Sequence, residues 1–586
     1  MEKWVVVNKG ADFAGIGKRF GIDPVTARVI RNRGLTDEAE IERYLNGTLG
    51  DLCDPHLLKD ADLLVDILLE KIKEHAPIRI IGDYDIDGVM SSYILVKALR
   101  RAGAEASVRI PDRIADGYGL NEHLITQARD EGMDTILTCD NGIAALDEIA
   151  LAKSLGMTVL VTDHHEIPFT EENGVKIEKK NLADAIVNPH QAACTYPNKN
   201  LCGAAVAWKV VCILFERLHI AKEEAESFLE HVAFATVGDI MSLTGENRIL
   251  VKEGLKRIHH TQNIGLRALI AQCGLEPAQI EAYHFGYVLG PCINASGRLD
   301  TAKRALELLL SDSMDAAVVA ANELVSLNAE RKELTLEGVE LAKRLYEDEG
   351  YEKDAVLVMY LPEVHESIAG IIAGRIRETY YKPTFILTKG AEGVKGSGRS
   401  TECYSMYEEL CKCEQLLTKF GGHPMAAGLS LPEENVALLR QQLNANCSLT
   451  KEQQIPRIRI DVPMPVDYVS MDLIRELHIL EPFGKDNEQP VFADKHLHVV
   501  RMWLVGKNQN VLRLTLQTQQ QSKINAIYFG DIKAWEQFVN ERFGNEQLKA
   551  AYAGRENCIE ISAVYRPKIN EFHGQESIQF EIRNYC

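Results

Sequence analysis

Between about residues 79 and 189, short apolar runs alternate with helical patterns, and this alternation constrains the fold more than any other feature. Amphipathic patterns separate the runs, in GVMSSYILVKALRRAG and over residues 121–131 and 144–155. Repeated βα units of this kind predict a mostly parallel sheet with helices on both faces. The strand-like runs are IRIIGDYD, ASVRIPDR, TILTCD, TVLVTD and DAIVNP.

The rest of the chain predicts further parts around this α/β lobe. Residues 203–275 have helical patterns throughout, and a long charged helical pattern at 313–349 predicts a helix that bridges two lobes. Mixed α/β patterns return at 355–448, in AVLVMY, AGIIAGRIRETY and PTFILT. From about residue 455 onward, short alternating strands separated by polar turns predict a small β-barrel.

Composition bears on the number of domains, on nucleic-acid binding and on the cellular compartment. The chain has 586 residues, enough for three or four domains, and a net charge of −20. A surface this acidic disfavours nucleic acid, so binding to it requires a local basic groove or bound metal. The 13 cysteines include no CxxC pair, which predicts reduced thiols in a cytoplasmic protein. We find no signal peptide pattern and no apolar run of about 18 residues, so no membrane span is expected.

Acids and imidazoles follow three of the predicted strands. In a parallel sheet the carboxyl ends of the strands meet at one edge, where ligands bind. A further acid, in VGDIMSL, follows an apolar helical stretch and is a plausible fourth contributor. These residues are Asp83, Asp85 and Asp87 after the first strand, Asp140 after TILTC, Asp163, His164 and His165 after TVLVT, and Asp239.

So many carboxylates in one place repel one another unless a cation lies among them. Asp and His ligands without Cys suit Mn²⁺ or Mg²⁺, and the acids suffice for two ions about 3.5–4 Å apart. A single aspartate at a strand end is more often a helix cap or turn residue. Asp163 can be interpreted in this way, as a hydrogen-bond acceptor that orients a neighbouring imidazole and does not bind the metal itself. Three acidic strand ends with a histidine pair favour the metal site.

These motifs resemble those of a known family. DYDIDG (83–88), DNG (140–142), DHH (163–165) and GD (238–239) are similar to the four motifs of the DHH phosphoesterases. Further motifs resemble the exonuclease family of this superfamily that degrades single-stranded DNA, and the last of them is similar to the entry into its OB domain. They are LGPCINASGR (289–298), HESIAGIIAGRI (365–376), GSGRS (396–400), GGHPMAAG (421–428) and LEPFGKDNEQPVF (480–492).

The resemblance, which covers residue 50 to the end, implies a fold and a domain order. The fold is α/β, with a parallel-sheet DHH lobe, a long connecting helix, a second α/β lobe and a C-terminal OB-type β-barrel. The expected divisions are an N-terminal segment (1–50), a DHH catalytic domain (51–250), a helical connector (251–350), a DHH-associated substrate-binding domain (351–450) and an OB-fold nucleic-acid-binding domain (451–586).

The resemblance also implies a two-metal site. Asp83 and Asp85 would hold one ion, Asp87, His164 and Asp239 the other, and Asp140 would bridge them. His165 would contact the phosphate that is attacked by an activated water. Asp83 stands where many relatives differ.

Residues outside the metal site would hold the strand. GSGRS combines hydroxyls with a guanidinium, which suits a phosphate, and two glycines in GGHPMAAG allow close backbone approach. The resemblance implies a terminal-nucleotide site from Ser397, Arg399, Gly422 and His423, and substrate contacts from Arg113, Asn294, Arg298 and His365. In the barrel, Arg501, Trp503, Lys507 and Arg513 are candidates for base stacking and phosphate contact.

The implied function is hydrolysis of single-stranded DNA from the 5′ end, releasing mononucleotides, in DNA repair and recombination. Single-strand-binding protein and a helicase are the protein partners that the resemblance implies. The alternatives are a nano-RNase or pAp phosphatase, an inorganic pyrophosphatase, and a non-catalytic scaffold that binds single strands. The barrel disfavours the first two, and the intact metal ligands disfavour the third. Cys292 replaces an arginine common in the family, which predicts weaker strand binding.

Overall fold

The computed structural model describes residues 2–113, 116–117, 119–172, 175–179, 181–390, 393–572 and 574–586, with only the backbone described at 171, 172, 175 and 176. The chain divides into two compact units. The central unit is Leu49–Pro456, and the terminal unit combines Met1–Thr48 with Arg457–Cys586.

The N-terminal segment is a strand followed by three short helices with clear start signals. Asp23 caps the second helix, whose first residue is Pro24, and Asp37 and Glu40 form a capping box on the third. The elements are β1 (Lys3–Val6), α1 (Phe13–Phe20), α2 (Pro24–Asn32) and α3 (Glu38–Asn46).

The central unit begins with a first lobe built on a five-stranded parallel sheet of order β3-β2-β4-β5-β8. One apolar core covers the face toward α5, and a second covers the face toward α6 and α7. The elements are α4 (Ala61–Lys73), β2 (Ile78–Ile81), α5 (Ile86–Arg101), β3 (Ala106–Arg109), α6 (Glu122–Asp130), β4 (Thr135–Cys139), α7 (Leu146–Ser154), β5 (Thr158–Thr162), a hairpin of β6 (Phe169–Glu172) and β7 (Val175–Glu178), and β8 (Ala185–Val187).

A helical region follows and ends in one long helix. That helix, α16, is 35 residues long and packs against α12, α14 and α15 of the first lobe and against the first helix of the second lobe. The elements are α8 (Gly203–Arg217), α9 (Lys222–Glu226), α10 (Leu229–Gly238), α11 (Gly245–Ile258), α12 (Ile264–Gln272), α13 (Ala282–His284), a π-helical turn (Phe285–Leu289), α14 (Gly290–Leu299), α15 (Lys303–Leu309) and α16 (Met314–Asp348).

The second lobe is a five-stranded mixed sheet of order β12-β13-β11-β10-β9, in which only β9 and β10 run parallel. Separate apolar cores lie on its two faces. The elements are β9 (Leu357–Tyr360), α17 (Ala369–Tyr380), β10 (Thr384–Gly390), β11 (Gly393–Arg399), α18 (Met406–Cys411), β12 (Lys419–His423), β13 (Ala426–Leu431) and α19 (Val436–Asn446).

The terminal unit is a closed barrel to which the N-terminal segment adds. Strand pairing runs β16-β17-β18-β20-β19 and returns to β16, and β1 pairs with β14 in parallel. Val29, Ile30 and Ile41 share one apolar core with the barrel. The elements are β14 (Arg457–Ile460), β15 (Val462–Pro463), α20 (Met471–Leu477), β16 (Phe492–Val505), β17 (Val511–Gln517), β18 (Lys523–Tyr528), α21 (Ile532–Phe543), α22 (Asn545–Tyr552), β19 (Glu560–Phe572) and β20 (Gln575–Tyr585).

The fold class inferred from the sequence is confirmed: a parallel-sheet lobe, a long bridging helix, a second α/β lobe and a C-terminal barrel are all present. The strands of the first lobe end before their acidic residues, so Asp83, Asp140 and Asp163 lie on loops, Asp85 caps α5 and Asp87 lies in the first turn of α5. The sequence did not predict the β6–β7 hairpin, β20, α21 and α22, or the packing of residues 2–48 with the barrel. Among the described residues, we find no helix with the length and apolar character needed to span a bilayer.

Candidate active site

Asp83 and Asp85 lie in the turn from β2 into α5, and Asp87 lies in the first turn of that helix. The chain turns sharply here because Gly88 packs on the backbone of Asp83, where a Cβ would come within 2.4 Å of the Asp83 carbonyl oxygen. Asp85 is the N-cap of α5, and its Oδ1 accepts hydrogen bonds from the backbone N–H of Asp87 (2.9 Å) and Gly88 (3.1 Å). Capping therefore fixes the direction of the Asp85 carboxylate.

Asp87 is fully buried and lies against the start of α8. Its Oδ2 accepts from Gly203 N at 2.6 Å and its Oδ1 from Ala204 N at 2.7 Å. The first N–H groups of a helix have no partner within the helix and carry the positive end of its dipole. The start of α8 thus holds this carboxylate in place.

Asp140 follows β4 in the left-handed backbone conformation, with φ of 61°. Asn141 behind it donates to Ile81 O at 3.1 Å and to Cys139 O at 2.9 Å, which ties the turn to two strands. The approach of α8 is close here, because a Cβ on Gly203 would lie 2.7 Å from the Asp140 Cβ. The turn therefore directs the Asp140 carboxylate toward the acids that follow β2.

The histidine pair is positioned by Asp163. Asp163 Oδ1 accepts from the backbone N–H of His164 (2.7 Å) and His165 (3.0 Å) and lies 2.8 Å from His165 Nδ1, while Oδ2 accepts from Ile143 N. Asn188 Nδ2 donates to His165 O at 2.9 Å. Asp163 thus orients the neighbouring His165 ring, as its alternative interpretation from the sequence predicts. It does not belong to the metal-ligand sets described below.

His164 and Asp239 complete the cluster. His164 Nε2 lies 3.0 Å from Asp140 Oδ1, 3.5 Å from Asp87 Oδ2 and 3.8 Å from Asp239 Oδ2. Asp239 reaches the site as the C-cap residue of α10. Three sets each have ligand atoms within 4.8 Å of one another: Asp83 with Asp85 and Asp140; Asp87 with His164 and Asp239; Asp140 with His164 and His165.

Burial and like charge determine the protonation of the acids. Burial and the Asp85 carboxylate raise the pKa of Asp83 well above its usual range. Burial and the surrounding aspartates do the same to the pKa of Asp140. Burial also raises the pKa of Asp87. The cluster is therefore electrostatically unfavourable in the absence of a cation.

The histidines differ in protonation. Burial lowers the pKa of His164, so its imidazole is neutral at neutral pH and able to act as a ligand. Burial also opposes the charged form of His165, but the hydrogen bond and charge of Asp163 outweigh it and raise the pKa of His165 to about 9. At neutral pH the pair therefore offers one ligand and one cation.

The residues fit a divalent cation. Asp83 Oδ1 is buried and has no hydrogen-bond partner among the described residues, so it is an acceptor without a donor. Oxygen and imidazole donors without a thiolate suit Mn²⁺ or Mg²⁺. Asp140 belongs to two ligand sets, one with Asp83 and Asp85 and one with His164 and His165. A residue that bridges two ions requires such an arrangement.

Asn294, Arg298 and Arg113 lie at the rim of the cluster. Asn294 Oδ1 accepts from Ile86 N at 2.8 Å, so α14 is joined to the start of α5. Arg298 Nη1 donates to Ser367 O of the second lobe at 2.8 Å. Burial and the charges of neighbouring arginines lower the pKa of Arg298 to about 10. The guanidinium of Arg113 lies 5.0 Å from the centre of the Tyr84 ring.

The second lobe adds Arg399 at the end of β11. Its guanidinium lies over the first turn of α17, where a Cβ on Gly370 would come within 2.7 Å of Nη2. Burial and the charges of Arg377 and Arg113 lower the pKa of Arg399. Arg113, Arg298 and Arg399 thus form a cationic group opposite the acids, despite the net negative charge of the chain.

The remaining predicted residues of this lobe lie on neighbouring strands. Ser397 pairs with Gly428 across β11 and β13, and Gly422 and His423 end β12. Gly422 has φ of 145°, and a Cβ there would lie 2.4 Å from Ala426 O, so a larger residue would be strained. His365 Nδ1 lies 2.7 Å from Ser367 Oγ, beside the carbonyl that Arg298 contacts.

Several residues of the site were not recognised from the sequence. Gly203 and Ala204 hold Asp87 through backbone groups, and only the small residues at the start of an apolar helix indicate this. Arg331 of α16 is close enough for its charge to lower the pKa of Arg298. Cys292 lies in the core, with Sγ 3.3 Å from Asn328 Nδ2.

The barrel places two of its candidate contacts around one small cavity. This cavity, of about 130 Å³, is lined by Trp503 and Arg513 together with Asn525, Asn570 and Gln579. The Arg501 guanidinium lies 5.4 Å from the Trp503 ring centre. Lys507 lies outside this lining.

Family models match three parts of the chain. The DHH family N-terminal domain matches residues 77–236, the DHHA1 domain 353–449 and the RecJ OB domain 460–584. The fold and the acidic site therefore define a metal-dependent phosphoesterase of the DHH class.

Individual relatives narrow this class. Over 588 residues the chain is 31% identical to the single-stranded-DNA-specific exonuclease RecJ of Escherichia coli, covering 96% of both chains. It is 32% identical over 533 residues to RecJ of Bacillus subtilis, covering 90% of this chain and 66% of that relative. The crystal structure of Thermus thermophilus RecJ with Mn²⁺ superimposes with a TM-score of 0.80 at 25% identity, covering 100% of this chain and 79% of that one. The chain belongs to the RecJ family of single-stranded-DNA-specific exonucleases.

Proposed function

We propose that this protein hydrolyses single-stranded DNA from its 5′ end and releases mononucleotides, in DNA repair and recombination. The observation that carries the proposal is the convergence of six acids and imidazoles on two ligand sets, Asp83 with Asp85 and Asp140, and Asp87 with His164 and Asp239. The two sets adjoin, because Asp140 Oδ1 lies 3.0 Å from His164 Nε2. Membership in the RecJ family supports the substrate, and the cationic group opposite the acids supports contact with a phosphate backbone.

Two divalent cations, Mn²⁺ or Mg²⁺, would complete the site. Asp83 and Asp85 would hold one ion, Asp87, His164 and Asp239 the other, and Asp140 would contact both. Bound there, the cations supply activation of water and stabilisation of the leaving oxygen. The structural support is that the ligand atoms of Asp83, Asp85 and Asp140 lie within 4.8 Å of one another, as do those of Asp87, His164 and Asp239. The raised pKa values of Asp83 and Asp140 support the same assignment.

The side chains of the protein orient the scissile phosphate. His165, protonated at neutral pH, donates to a phosphate oxygen, and Asp163 keeps the ring charged and correctly turned. Arg113, Asn294 and Arg298 contact the strand backbone at the rim. The contact of Asn294 with the start of α5 couples strand position to the acids of the β2 turn.

The terminal nucleotide lies against the second lobe. Arg399 and Ser397 bind its phosphate, and Gly422 and His423 contact the nucleotide itself. His365 supports this site through Ser367, whose carbonyl accepts from Arg298. Asymmetry between an acidic first lobe and this phosphate-binding lobe gives the strand a fixed direction.

The decisive experiment follows a 5′-labelled 20-nucleotide strand with Mn²⁺, alone and annealed as a blunt duplex. We expect release of labelled mononucleotide from the single strand and little from the duplex. Equal degradation of the two substrates contradicts the proposal. Asp140→Asn serves as the control, because it should abolish hydrolysis and leave strand binding largely intact.

The alternative function is that of a phosphatase of the same class that acts on very short substrates. The barrel and its match to the RecJ OB domain favour long strands. Comparing a dinucleotide, pAp and the 20-nucleotide strand separates the two functions, since a short-substrate phosphatase would prefer the first two.

We further propose that the chain comprises a DHH catalytic domain, a helical connector, a substrate-binding domain and a barrel near the boundaries expected from the sequence. Single-strand-binding protein and a helicase are the proposed protein partners. Cytoplasmic location is consistent with 13 free cysteines. Pull-down of these two partners from a lysate of the source cell, with and without DNA, tests the partner assignment.

A further inference from the structure

Tyr283 and Tyr287 form an exposed aromatic pair in the central unit. Their side chains are 60% and 70% exposed, and their rings stack with centres 5.0 Å apart and planes inclined by 23°. Single exposed aromatic residues are common, whereas two that stack on each other in solvent form a continuous apolar surface. Such a surface is suited to a flat ligand.

The pair lies on the helical segment that carries the predicted strand contacts. α13, the π-helical turn and α14 form one continuous run, and residues 283, 287, 291, 294 and 298 recur every three or four positions along it. Residues with this spacing share one helix face. Asn294 and Arg298 therefore lie at one end of a face whose other end presents the two tyrosines.

The π-helical turn also packs beside the end of α10, which supplies Asp239. The rings of Phe234 and Phe285 stack with centres 4.6 Å apart, and a Cβ on Gly286 would lie 3.6 Å from Val237. Ile240, the residue after Asp239, is 67% exposed and has φ of 55°, a rare conformation for a β-branched side chain. An exposed apolar surface thus begins at the rim of the metal site.

The spacing along the helix matches a stacked single strand. At a rise of about 1.5 Å per residue, Tyr287 and Tyr283 lie roughly 10 and 16 Å along the axis from Asn294. Stacked nucleotides advance by about 3.4 Å each, so these distances correspond to roughly three to five nucleotides. Aromatic side chains stack on any base, which suits an enzyme that must accept every sequence.

We propose that Tyr283 and Tyr287 stack on bases of the single strand about three to five nucleotides from the position of Asn294. This inference rests on the proposed function, because it takes Asn294 and Arg298 as contacts of the same strand. Together they form a track in which α14 contacts the backbone and the tyrosines contact the bases.

The test measures binding without hydrolysis, by fluorescence anisotropy of labelled 12-nucleotide and dinucleotide strands in EDTA at low salt. The variants are Tyr283→Ala, Tyr287→Ala and the double variant. Tyr→Phe changes at both positions should restore binding, because the ring is kept. Val319→Ala is the matched control, since Val319 is 60% exposed on α16. Thermal melting of each variant confirms folding.

We expect each alanine to weaken 12-nucleotide binding roughly 5- to 150-fold and to leave dinucleotide binding unchanged. Unchanged 12-nucleotide binding in the double variant overturns the inference, as does an equal loss for both lengths, which indicates damage to the cleft itself. The proposed function is judged separately, by hydrolysis in Mn²⁺. A wild-type protein that binds through the tyrosines and does not hydrolyse DNA refutes the function and leaves the base contacts established.

Discussion

Asp140→Asn should stabilise the protein in the absence of metal while abolishing its activity. Asp140 is buried, and burial together with Asp87, Asp85 and Asp83 raises its pKa well above the usual range. Asparagine keeps the shape, still accepts a hydrogen bond and tolerates the left-handed conformation at φ of 61°. The substitution therefore removes an unfavourable charge at little steric cost.

The magnitude follows from the ligand set that Asp140 shares with Asp83 and Asp85. Like charges within 4.8 Å repel by about 3–4 kcal/mol at an effective dielectric constant near 20. Asp140 can also bind a proton in the folded state, so at pH 7 it destabilises the fold by at most the free energy of protonating an ordinary aspartate, about 4 kcal/mol. The lost contact with His164 offsets part of this, so we expect a gain of about 2 kcal/mol in the free energy of unfolding. For the roughly 400-residue central unit, this corresponds to about 2 °C in melting temperature.

Calorimetry in EDTA and in excess Mn²⁺ measures this effect. Because the pKa of Asp140 is raised in the folded state, its charge does not destabilise the fold below the unfolded-state pKa near 4, and the destabilisation grows as pH rises. The stability gained by Asp140→Asn should therefore vanish toward pH 4. Excess Mn²⁺ should stabilise the unsubstituted protein by about 3 kcal/mol at 100 times the dissociation constant, and the variant by less.

Asp163→Asn is the matched control, because it makes the same chemical change in the same site. Burial alone would raise the pKa of Asp163, but hydrogen bonding and charge from His165 lower it, so its ionised form stabilises the fold. We expect that variant to lose about 2–4 kcal/mol in EDTA. If Asp140→Asn destabilises the protein to a similar extent, the electrostatic account of the cluster is wrong.

Three further predictions concern residues around the cluster. Gly203→Ala should abolish hydrolysis at near-normal expression, because the new Cβ would lie 2.7 Å from that of Asp140; wild-type kcat would contradict this. Activity should fall above pH 9 as His165 loses its proton, and Asp163→Asn should move this fall to lower pH, as a pH profile of kcat will show. Burial lowers the pKa of His231 to about 3, so stability is lost as pH falls from 6.5 toward 3, by up to about 5 kcal/mol. His231→Phe should therefore lose less stability than wild type between pH 7 and pH 4 in denaturant titrations, and an equal loss in the two proteins would contradict this.

Some features of the site could be predicted because they depend on local sequence. A buried parallel strand requires an apolar run, and its carboxyl end is the point where polar residues resume, so Asp83, Asp140 and His164 were visible at strand ends. The 35-residue helix α16 was predicted within a residue at each end, because its pattern is long and regular. Metal-binding residue types were also evident, since Asp and His clusters are uncommon in a core.

The contacts of Asp87, the position of Cys292 and the tyrosine pair could not be predicted in this way. Asp87 is held by backbone groups, which have no identity in a sequence. The Cys292 thiol lies in the core beside Asn328, a position that the motif does not indicate. Weaker strand binding from the loss of an arginine at this position stays a prediction. Residues 2–48 join the barrel through β1 and β14, more than 450 positions apart, and no local pattern encodes such a pairing.

Local sequence patterns were enough to predict the main helices and strands, their order and the residue types that hold metal, because periodicity and strand-end chemistry are local properties. Packing sets which ligand atoms lie within 4.8 Å of one another, which carboxyl groups have a raised or lowered pKa, and which aromatic residues remain exposed. Those outcomes depend on burial and on distances between residues far apart in the chain, and both are set only when the helices and strands pack together.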